Sequence, residues 1–379
     1  MASIHNNILT TISLTILLLV STTPAAHCSG RFEQIYAFGD SYTDTGNTRT
    51  STGPTAFNHV SDPPYGITFF HRPTNRYSDG RIVLDFVAEA LSLPLVPPYR
   101  DAAANRSRGV NFAVGGATAI RHGFFVKNNV TFNLVPQSLQ TQLVWFDKVL
   151  LGSAGCADRR STPTQCEGAL GDALIWVGEV GANDYTCSLG SSLSSKVIRS
   201  LAIRSVVGFL QAVLNKGAKY IVVQGLPPTG CVPYSFSLAS PEDRDEMGCV
   251  ASVNRITQAH NAALQAQLRS LRAQHPQAVI LYADYYNSHL TLLKNATRYG
   301  FRQPYRVCCG YGGGALNFDV FNTCGSSSST SCPDPSEYIN WDGAHFTEAA
   351  YKVITTSFLG GEFCRPSFNY LLRKKKSVN

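Results

Sequence analysis

Five short apolar runs, rich in β-branched residues, recur along the chain. They lie at 34–38, 110–114, 173–180, 220–224 and 278–282. Each run is bounded by Gly, Pro, Asn or Asp, which is typical of strands buried on both faces of a parallel sheet. Between them lie stretches with apolar residues at helical spacing, at 81–91, 136–151, 195–216 and about 245–274. Strands that alternate with helices predict a three-layer α/β/α fold around a mostly parallel sheet of about five strands.

No linker of disordered composition and no internal repeat interrupts the chain after residue 28. The serine-rich stretch near Ser326 is short and lies among cysteines, so we interpret it as a surface loop rather than a domain boundary. Although 379 residues would suffice for two domains, we predict one domain over 29–379. It ends in a basic tail from about 371, which we expect to be solvated.

The first 28 residues contain no Lys, Arg, Asp or Glu, and Ile, Leu and Val dominate 8–20. This apolar run is too short to span a membrane and is followed by small residues, which is typical of a secretory signal peptide. We predict that 1–28 is removed, with the cut after Ala26 or Cys28. The expected location is extracellular, with the vacuole as the alternative compartment. No other long apolar run follows, so we expect no stable insertion into a membrane.

The formal charge of +7 first suggests an anionic partner such as nucleic acid. The four basic residues at 373–376 supply much of it, however, and leave about +3 for the rest of the chain. We therefore expect no nucleic-acid partner. A composition of 44% hydrophobic and 15% charged residues also excludes disordered, collagen-like and coiled-coil proteins.

Eleven cysteines in a chain with only two methionines indicate an oxidising compartment. A zinc site needs closely spaced pairs of ligands, and no C-x-x-C occurs, so we expect disulfides rather than metal ligands. Cleavage after Cys28 would leave ten cysteines, enough for five disulfides. Three glycosylation sequons, which begin at Asn105, Asn129 and Asn295, agree with secretion.

Polar residues and glycines follow the first three predicted strands, where the functional loops of an open α/β sheet gather. The chain reads Gly39-Asp40-Ser41-Tyr42 after the first strand, Gly115-Gly116 after the second and Gly181-Ala182-Asn183-Asp184 after the third. A fourth group, Asp342-Gly343-Ala344-His345, lies just before a helical pattern at 348–358. The carboxyl ends of parallel strands meet at one edge of a sheet, so these groups are candidates for a common site.

These residue types suit acyl transfer to a serine. A serine hydroxyl becomes a good nucleophile when a base within hydrogen-bond reach accepts its proton and a third group orients that base. Ser41, His345 and Asp342 supply those three groups. The oxyanion of the tetrahedral intermediate also needs donors, for which the Ser41 N–H, the Gly115 N–H and the Asn183 side-chain amide are candidates.

Each group taken alone has a simpler interpretation. Gly-Asp-Ser and Gly-Gly are common in turns, and Asn183 suits an Asx turn. Asp342 could cap the following helix and leave His345 merely exposed. Asp40 and Asp44 lack the alternating acids of a calcium loop, so we expect no metal. The combination is more specific than its parts, because three of the four groups follow predicted strands.

The combination resembles the GDSL esterase/lipase family, also called the SGNH hydrolases, and specifically its secreted plant branch. The similar blocks are FGDSYTDTGN at 38–47, NFAVGGA at 111–117, GAND at 181–184 and DGAH at 342–345. Their order and wide separation also match, as do the segments 76–81 and 341–351. The resemblance covers essentially the whole chain after the predicted signal peptide.

The resemblance implies the SGNH-hydrolase form of a flavodoxin-like fold and no cofactor. Ser41 would be the nucleophile, His345 the base and Asp342 its orienting group. Ser41, Gly115 and Asn183 would be the oxyanion donors. Tyr42 stands where the family's name has Leu, which leaves the nucleophile intact but changes its surroundings.

Three functions compete. We expect a secreted serine esterase or lipase that hydrolyses small carboxylic esters through an acyl-enzyme on Ser41. An acyltransferase would pass the same acyl group, for example hydroxycinnamoyl, to an alcohol or a sugar acid, as the resemblance allows. A carbohydrate-binding or structural glycoprotein with a vestigial site is disfavoured by the intact set of polar residues. The sequence defines neither the two halves of the ester nor the oligomeric state.

Overall fold

The structure of the protein is a computed structural model that describes residues 32–49, 53, 57–130, 132, 134–153 and 170–377. The predicted signal peptide lies outside the described residues, and so do Cys156 and Cys166. The elements, distances and burial given below concern the described part of the chain.

Six strands of the described chain form a central sheet. They are β1 (Gln34–Phe38), β2 (Gly109–Asn111), β3 (Ala173–Val177), β4 (Tyr220–Gln224), β5 (Val279–Ala283) and β10 (Cys364–Arg365). Their order is β10-β5-β4-β3-β1-β2, and all neighbours are parallel except β10, which is antiparallel to β5. Two small sheets lie beside it, formed by the pairs β6 (Gln303–Val307) with β9 (Tyr338–Asn340) and β7 (Cys309–Gly310) with β8 (Thr330–Ser331).

Successive side chains of each central strand face opposite layers of helices. In β3, Leu174 and Trp176 belong to one hydrophobic core, whereas Ile175 and Val177 belong to the other. Every residue of β3 is buried, which explains why its sequence is continuously apolar. The predicted three-layer α/β/α fold is therefore confirmed, with six strands instead of about five.

Ten α-helices are found within the described ranges. One layer contains α1 (Val83–Ala90), α8 (Tyr285–Lys294), α9 (Glu348–Leu359) and α10 (Phe368–Lys376). The other layer contains α3 (Leu139–Ser153), α5 (Ser195–Asn215) and α7 (Ala251–Gln274). Three short helices lie in the connections: α2 (His122–Lys127), α4 (Ala182–Cys187) and α6 (Pro233–Leu238).

The predicted strands 34–38 and 220–224 agree with the structure at both ends. The second strand instead ends at Asn111, because the Asn111 side-chain oxygen accepts the Ala113 N–H at 2.8 Å and the chain turns away from the sheet. The sixth strand, β10, is only two residues long and antiparallel. Two residues carry no periodicity, so the hydrophobic pattern did not indicate this strand.

The long helix α7 begins at Ala251 rather than near 245. The Asp245 carboxylate accepts the backbone N–H groups of Met247 and Cys249, at 2.9 and 3.0 Å, and so holds these residues in a turn. A disulfide from Cys249 to Cys231 fixes the same turn. Local side-chain bonding of this kind competes with helix formation.

Three disulfides are described, and they join Cys231 to Cys249, Cys308 to Cys332 and Cys309 to Cys324. The prediction of disulfides is therefore confirmed for these six residues. Cys187 and Cys364 are free and buried. Five disulfides, the largest number that ten cysteines allow, are therefore not reached, because the core encloses two of them as separate thiols.

The basic C-terminal segment is a packed helix. The expectation of a solvated tail from about 371 is correct for Arg373, Lys374 and Lys376, which are exposed, and wrong for the opposite face of the helix. Phe368 and Leu371 are buried, and Lys375 is only 3% exposed. The Lys375 ammonium pairs with Asp172 and lies 5.9 Å from the centroid of the Tyr220 ring. The buried positions follow helical spacing, so this helix has one face in the core.

One described helix, α5, is long and apolar enough to cross a membrane by length and composition alone. Ile198, Phe209 and Val213 on this helix are buried in the hydrophobic core. The helix also packs against α3 and α7. We therefore attribute its apolar character to packing inside the fold.

Candidate active site

Ser41 lies in a tight turn at the carboxyl end of β1. Gly39 begins this turn with a φ of 144°, which residues with a side chain rarely adopt. A Cβ atom on Gly39 would also lie 3.2 Å from the Glu179 carbonyl oxygen. The Asp40 carbonyl then accepts the N–H groups of Thr43 and Asp44 and closes the turn.

His345 and Asp342 form a hydrogen-bonded chain with Ser41. The His345 Nε2 atom lies 2.7 Å from Ser41 Oγ, and its Nδ1 atom lies 2.9 and 2.8 Å from the two Asp342 carboxylate oxygens. Asp342 also accepts the backbone N–H of His345, at 2.9 Å. The structure thus brings together the three residues that the sequence indicated.

The Asp342 carboxylate is completely buried. Burial alone would raise the pKa of Asp342, but the positive charge of His345 and hydrogen bonds from His345 and Tyr65 outweigh it and hold the pKa below its usual value. The Tyr65 hydroxyl donates to Asp342 Oδ2 at 2.8 Å. An ionised Asp342 is the form that orients the imidazole and stabilises an imidazolium.

Aromatic rings surround the His345 imidazole. The ring centroids of Tyr42, Phe57 and Tyr77 lie 5.4, 5.3 and 4.5 Å from that of His345. The Tyr42 hydroxyl also donates to the carbonyl oxygen of Ala344. Tyr42, which departs from the GDSL pattern, therefore adds a hydrogen bond to the loop that carries His345.

Asn183 lies in the first turn of α4, close to the turn that carries Ser41. Its side-chain nitrogen donates to Asp40 Oδ2 at 2.7 Å and to the Ala117 carbonyl at 3.2 Å. The shorter bond ties the loop after β3 to the loop after β1. Asn183 is thus placed beside the candidate nucleophile, as the sequence indicated.

The assignment of Gly115 as an oxyanion donor is contradicted by its contacts. Its N–H already donates to the Asp44 carboxylate, at 3.0 Å, and to the Thr48 hydroxyl, at 2.7 Å. A Cβ atom on Gly115 would lie 2.5 Å from the Tyr77 ring. Glycine at this position therefore makes room for a buried tyrosine rather than for a substrate.

The neighbouring Gly116 is the better candidate. It lines a cavity of about 90 Å³ together with Ser41, Asn183 and His345. Within the described chain, no hydrogen bond engages the backbone N–H of Gly116 or that of Ser41. These two donors at the cavity are therefore available to a ligand. Adjacent glycines look alike in a sequence, so only the path of the backbone separates their roles.

A second buried carboxyl group, Glu179, lies beside Asp40 beneath the serine turn. Burial, together with the negative charge of Asp40, raises the pKa of Glu179 well above its usual value, and burial raises the pKa of Asp40 to about 6. Among the described residues, no donor of good geometry reaches either Glu179 carboxyl oxygen. A proton on Glu179 that is donated to Asp40 gives one oxygen of the Glu179 carboxyl group a partner and leaves one negative charge on the pair. Sequence analysis missed Glu179, which it included in the apolar run 173–180.

The other acidic residues of these loops accept hydrogen bonds from backbone N–H groups. Asp44 accepts N–H groups of Gly46, Asn47, Thr48 and Gly115, and Asp184 accepts those of Ala119 and Ile120. Burial raises the pKa of Asp184 to about 7. In the part of the chain that the structure describes, no group of three or more His, Cys, Asp or Glu side chains could hold a metal ion.

The predicted glycosylation sites lie at the surface. Asn105 and Asn129 are exposed, and Asn295 is half-buried at the end of α8. The Asn295 side-chain nitrogen donates to the Thr291 carbonyl at 2.8 Å. Modification of the three asparagines stays a prediction.

Comparison with known proteins finds a family model, relatives and solved structures that are similar to this chain. The family model described as GDSL-like Lipase/Acylhydrolase matches residues 35–358. A GDSL esterase/lipase of Arabidopsis thaliana is 48% identical over 386 residues, which cover 99% of this chain and 98% of the relative. Acetylajmalan esterase 2 of Rauvolfia serpentina is 40% identical over 331 residues, which cover 85% of this chain and 88% of the relative. A crystal structure of a catalytic mutant of Axe2, an acetylxylan esterase from Geobacillus stearothermophilus, has a TM-score of 0.39 at 12% identity and covers 87% of this chain and 94% of its own.

Proposed function

Because the chain belongs to the GDSL-like lipase/acylhydrolase family and is a carboxylic ester hydrolase, we propose that Ser41, His345 and Asp342 are its catalytic triad. The observation that supports this most is the unbroken hydrogen-bonded chain from Ser41 Oγ through the imidazole to a buried carboxylate. A serine, a base in contact with it and a group that orients the base are what acyl transfer requires.

In the acylation step, the Ser41 hydroxyl gives its proton to His345 Nε2 while Oγ forms a bond to the ester carbonyl carbon. Asp342 stabilises the imidazolium that results. The tetrahedral intermediate then breaks its bond to the alcohol oxygen, which takes the proton from His345. The products of this step are a free alcohol and an acyl group bound to Ser41.

The proposed oxyanion donors are the N–H groups of Ser41 and Gly116 and the side-chain amide of Asn183. The long bond from Asn183 to the Ala117 carbonyl is the one that the oxyanion would replace, because the shorter bond to Asp40 keeps the side chain in place. Donors that are fixed before the reaction stabilise the developing charge without reorganisation.

Water completes the cycle by the same route, because His345 activates it to attack the acyl-enzyme. An acyltransferase would use a second alcohol or a sugar acid instead. Among the described residues that line the cavity at Ser41, none is Lys or Arg, and the negative charge that Asp40 and Glu179 share would oppose the carboxylate of a sugar acid. We therefore favour hydrolysis, and product analysis with mixed acceptors distinguishes the two reactions.

The proposed location is extracellular, with the vacuole as the alternative. The three described disulfides support an oxidising compartment. The apolar segment at 8–20 and the sequons at Asn105, Asn129 and Asn295 support the same route.

The triad is tested by turnover of a small chromogenic ester such as 4-nitrophenyl acetate. Ser41→Ala and His345→Ala should each lower kcat about 10⁶-fold, as is usual when a member of such a triad is removed. Circular dichroism and the Tm check that the variants fold. Ser270→Ala, at an exposed position on α7, is the matched control and should keep wild-type activity. Wild-type turnover by a folded Ser41→Ala variant would overturn the proposal.

A further inference from the structure

A larger cavity adjoins the one at Ser41 and has a volume of about 440 Å³. We call it the side pocket. The two cavities share the lining residues Ala182, Thr186, Thr229, Tyr234 and Ser235. The volume lies in the range of cavities that bind organic ligands of drug size. The side pocket is thus a continuation of the candidate active site rather than a separate surface feature.

The walls of the side pocket are mainly apolar. Leu189 and Leu238 line it and are each 52% exposed, although large apolar side chains are usually covered. Its acidic group, Asp243, already accepts the backbone N–H and the hydroxyl of Ser252. Among the described lining residues there is no Lys or Arg. A neutral and largely apolar ligand fits these walls.

We propose that the side pocket binds the alcohol half of the ester, and that the preferred substrates are short acyl esters of a bulky, neutral, apolar alcohol. This inference rests on the proposed function of Ser41. It adds the substrate class, which the triad does not determine.

The cavity volumes favour a short acyl group. About 90 Å³ at Ser41 accommodates the reacting carbonyl and a small substituent, whereas an extended acyl chain would not fit there. The remaining and larger part of the substrate therefore lies in the side pocket. Burial of its apolar surface would contribute to binding.

The position of His345, the proposed base, indicates which half of the ester lies in the side pocket. The departing alcohol oxygen takes its proton from His345 Nε2, so the alcohol lies on the side of the histidine loop. Tyr234 borders both cavities, and its N–H donates to the Gly343 carbonyl of this loop at 2.9 Å. An alcohol that leaves beside His345 therefore extends past Tyr234 into the side pocket.

Three alkyl esters test the assignment: menthyl acetate, ethyl acetate and ethyl octanoate. Menthol is a hindered secondary alcohol, which makes menthyl acetate intrinsically less reactive than ethyl acetate. A higher kcat/KM for menthyl acetate therefore reports binding rather than intrinsic reactivity. We expect kcat/KM for menthyl acetate to exceed that for ethyl acetate about tenfold or more, since each well-placed apolar group contributes a factor of this order. Ethyl octanoate should not exceed ethyl acetate.

A charged residue introduced at the rim of the side pocket tests the assignment, and the same substitution at a distant leucine is its matched control. Leu238→Asp should lower kcat/KM for menthyl acetate about tenfold, and by a much smaller factor for ethyl acetate, whose ethanol half is too small to fill the side pocket. Leu95→Asp introduces the same charge at a leucine that is 37% exposed and lines neither cavity, and should change neither ester. Calorimetry measures the affinity of the side pocket for menthol in the absence of turnover, in the Ser41→Ala variant. Adding Leu238→Asp to this variant should weaken the binding of menthol about tenfold.

The possible results separate the two proposals. If ethyl acetate is hydrolysed but Leu238→Asp leaves both menthyl acetate turnover and menthol binding unchanged, the side-pocket assignment is wrong and the esterase proposal stands. If ethyl octanoate is preferred and Leu238→Asp impairs it, the pocket binds the acyl half and the assignment is again wrong. If the wild type hydrolyses none of the three esters, the proposed function fails, and the substrate class fails with it.

Discussion

Asp40 and Glu179, the two buried carboxyl groups beneath Ser41, are best accommodated when they carry a single negative charge between them. When Glu179 carries the proton, its O–H donates to Asp40, and the Asp40 carboxylate accepts the Tyr42 N–H and the Asn183 amide. A second negative charge in this buried place would repel the first. The protonation of Glu179 thus positions Asn183, which we propose as an oxyanion donor.

Glu179→Gln tests this role because it keeps a donor that does not ionise. The pKa of Glu179 is raised in the folded protein, so its stabilising contribution is complete below about 4.3, the pKa of an unfolded glutamate, and is lost as pH rises through the raised value. The wild type should therefore lose stability with rising pH, by up to about 1.4 kcal/mol per pH unit. Glu179→Gln should reduce this slope to the part that the raised pKa values of Asp40 and Asp184 contribute, and should reduce the matching alkaline loss of kcat/KM.

The measurements are the Tm and kcat/KM as functions of pH, from mildly acidic to alkaline buffer. Glu362→Gln, at an exposed position, is the control and should reproduce the wild-type profiles. Parallel profiles for Glu179→Gln and the wild type would exclude the shared proton.

The sequence identified the reacting side chains but not the groups that support them. Ser41, Asp342 and His345 were indicated because their chemistry is specific and their spacing matches strand ends. Gly116 could not be separated from Gly115, since the direction of an N–H depends on the backbone path. Glu179 was missed because it lies within an apolar run of the sequence. The complete burial of this segment explains both its apolar neighbours and the raised pKa of Glu179.

The segment at 76–81 braces the helix that follows the histidine loop. The Arg81 backbone N–H donates to the Glu348 carboxylate at 2.7 Å, and the Arg81 guanidinium pairs with it at 2.8 Å. In return, the Glu348 N–H at the start of α9 donates to Asp79 at 2.7 Å. These bonds fix the start of α9 only three residues after His345, which gives a structural reason for the match of this segment to the family pattern.

The disulfide from Cys309 to Cys324 anchors strand β7 beside the segment that leads into Asp342. The Cys309 N–H donates to the Trp341 carbonyl at 2.8 Å, so this strand supports the residue before Asp342. Removing the cross-link with Cys309→Ala and Cys324→Ala together should lower the free energy of unfolding by about 3 kcal/mol, the value for a loop of this size. Urea unfolding measures the change.

Cys187→Ala is the control for that double variant. It removes a buried thiol that is not cross-linked, and should cost only about 1 kcal/mol. An equal loss of stability in the two variants would mean that the cross-link itself contributes nothing.

The layered architecture was predictable because the strands β1, β3, β4 and β5 are buried on both faces and are therefore largely apolar. What the pattern missed depends on contacts between distant parts of the chain. Strand β10 is two residues long and pairs with a strand that is distant in sequence. Whether Cys187 and Cys364 form disulfides depends on which residues the folded core places beside them. The side pocket is likewise bordered by residues that are far apart in sequence, such as Leu189 and Leu238.

The C-terminal helix closes the molecule at the end of the sheet opposite the candidate active site. Lys375 contacts Asp172 and Tyr220, which lie at the amino ends of β3 and β4, whereas Ser41 follows the carboxyl end of β1. Leu371→Ala, at a fully buried position, should lower the free energy of unfolding by about 2–5 kcal/mol. Arg373→Ala, on the exposed face, should change it by less than about 0.5 kcal/mol. Because the helix is remote from Ser41, kcat/KM at low temperature should be unchanged in both variants, and equal unfolding curves would show that the segment is solvated after all.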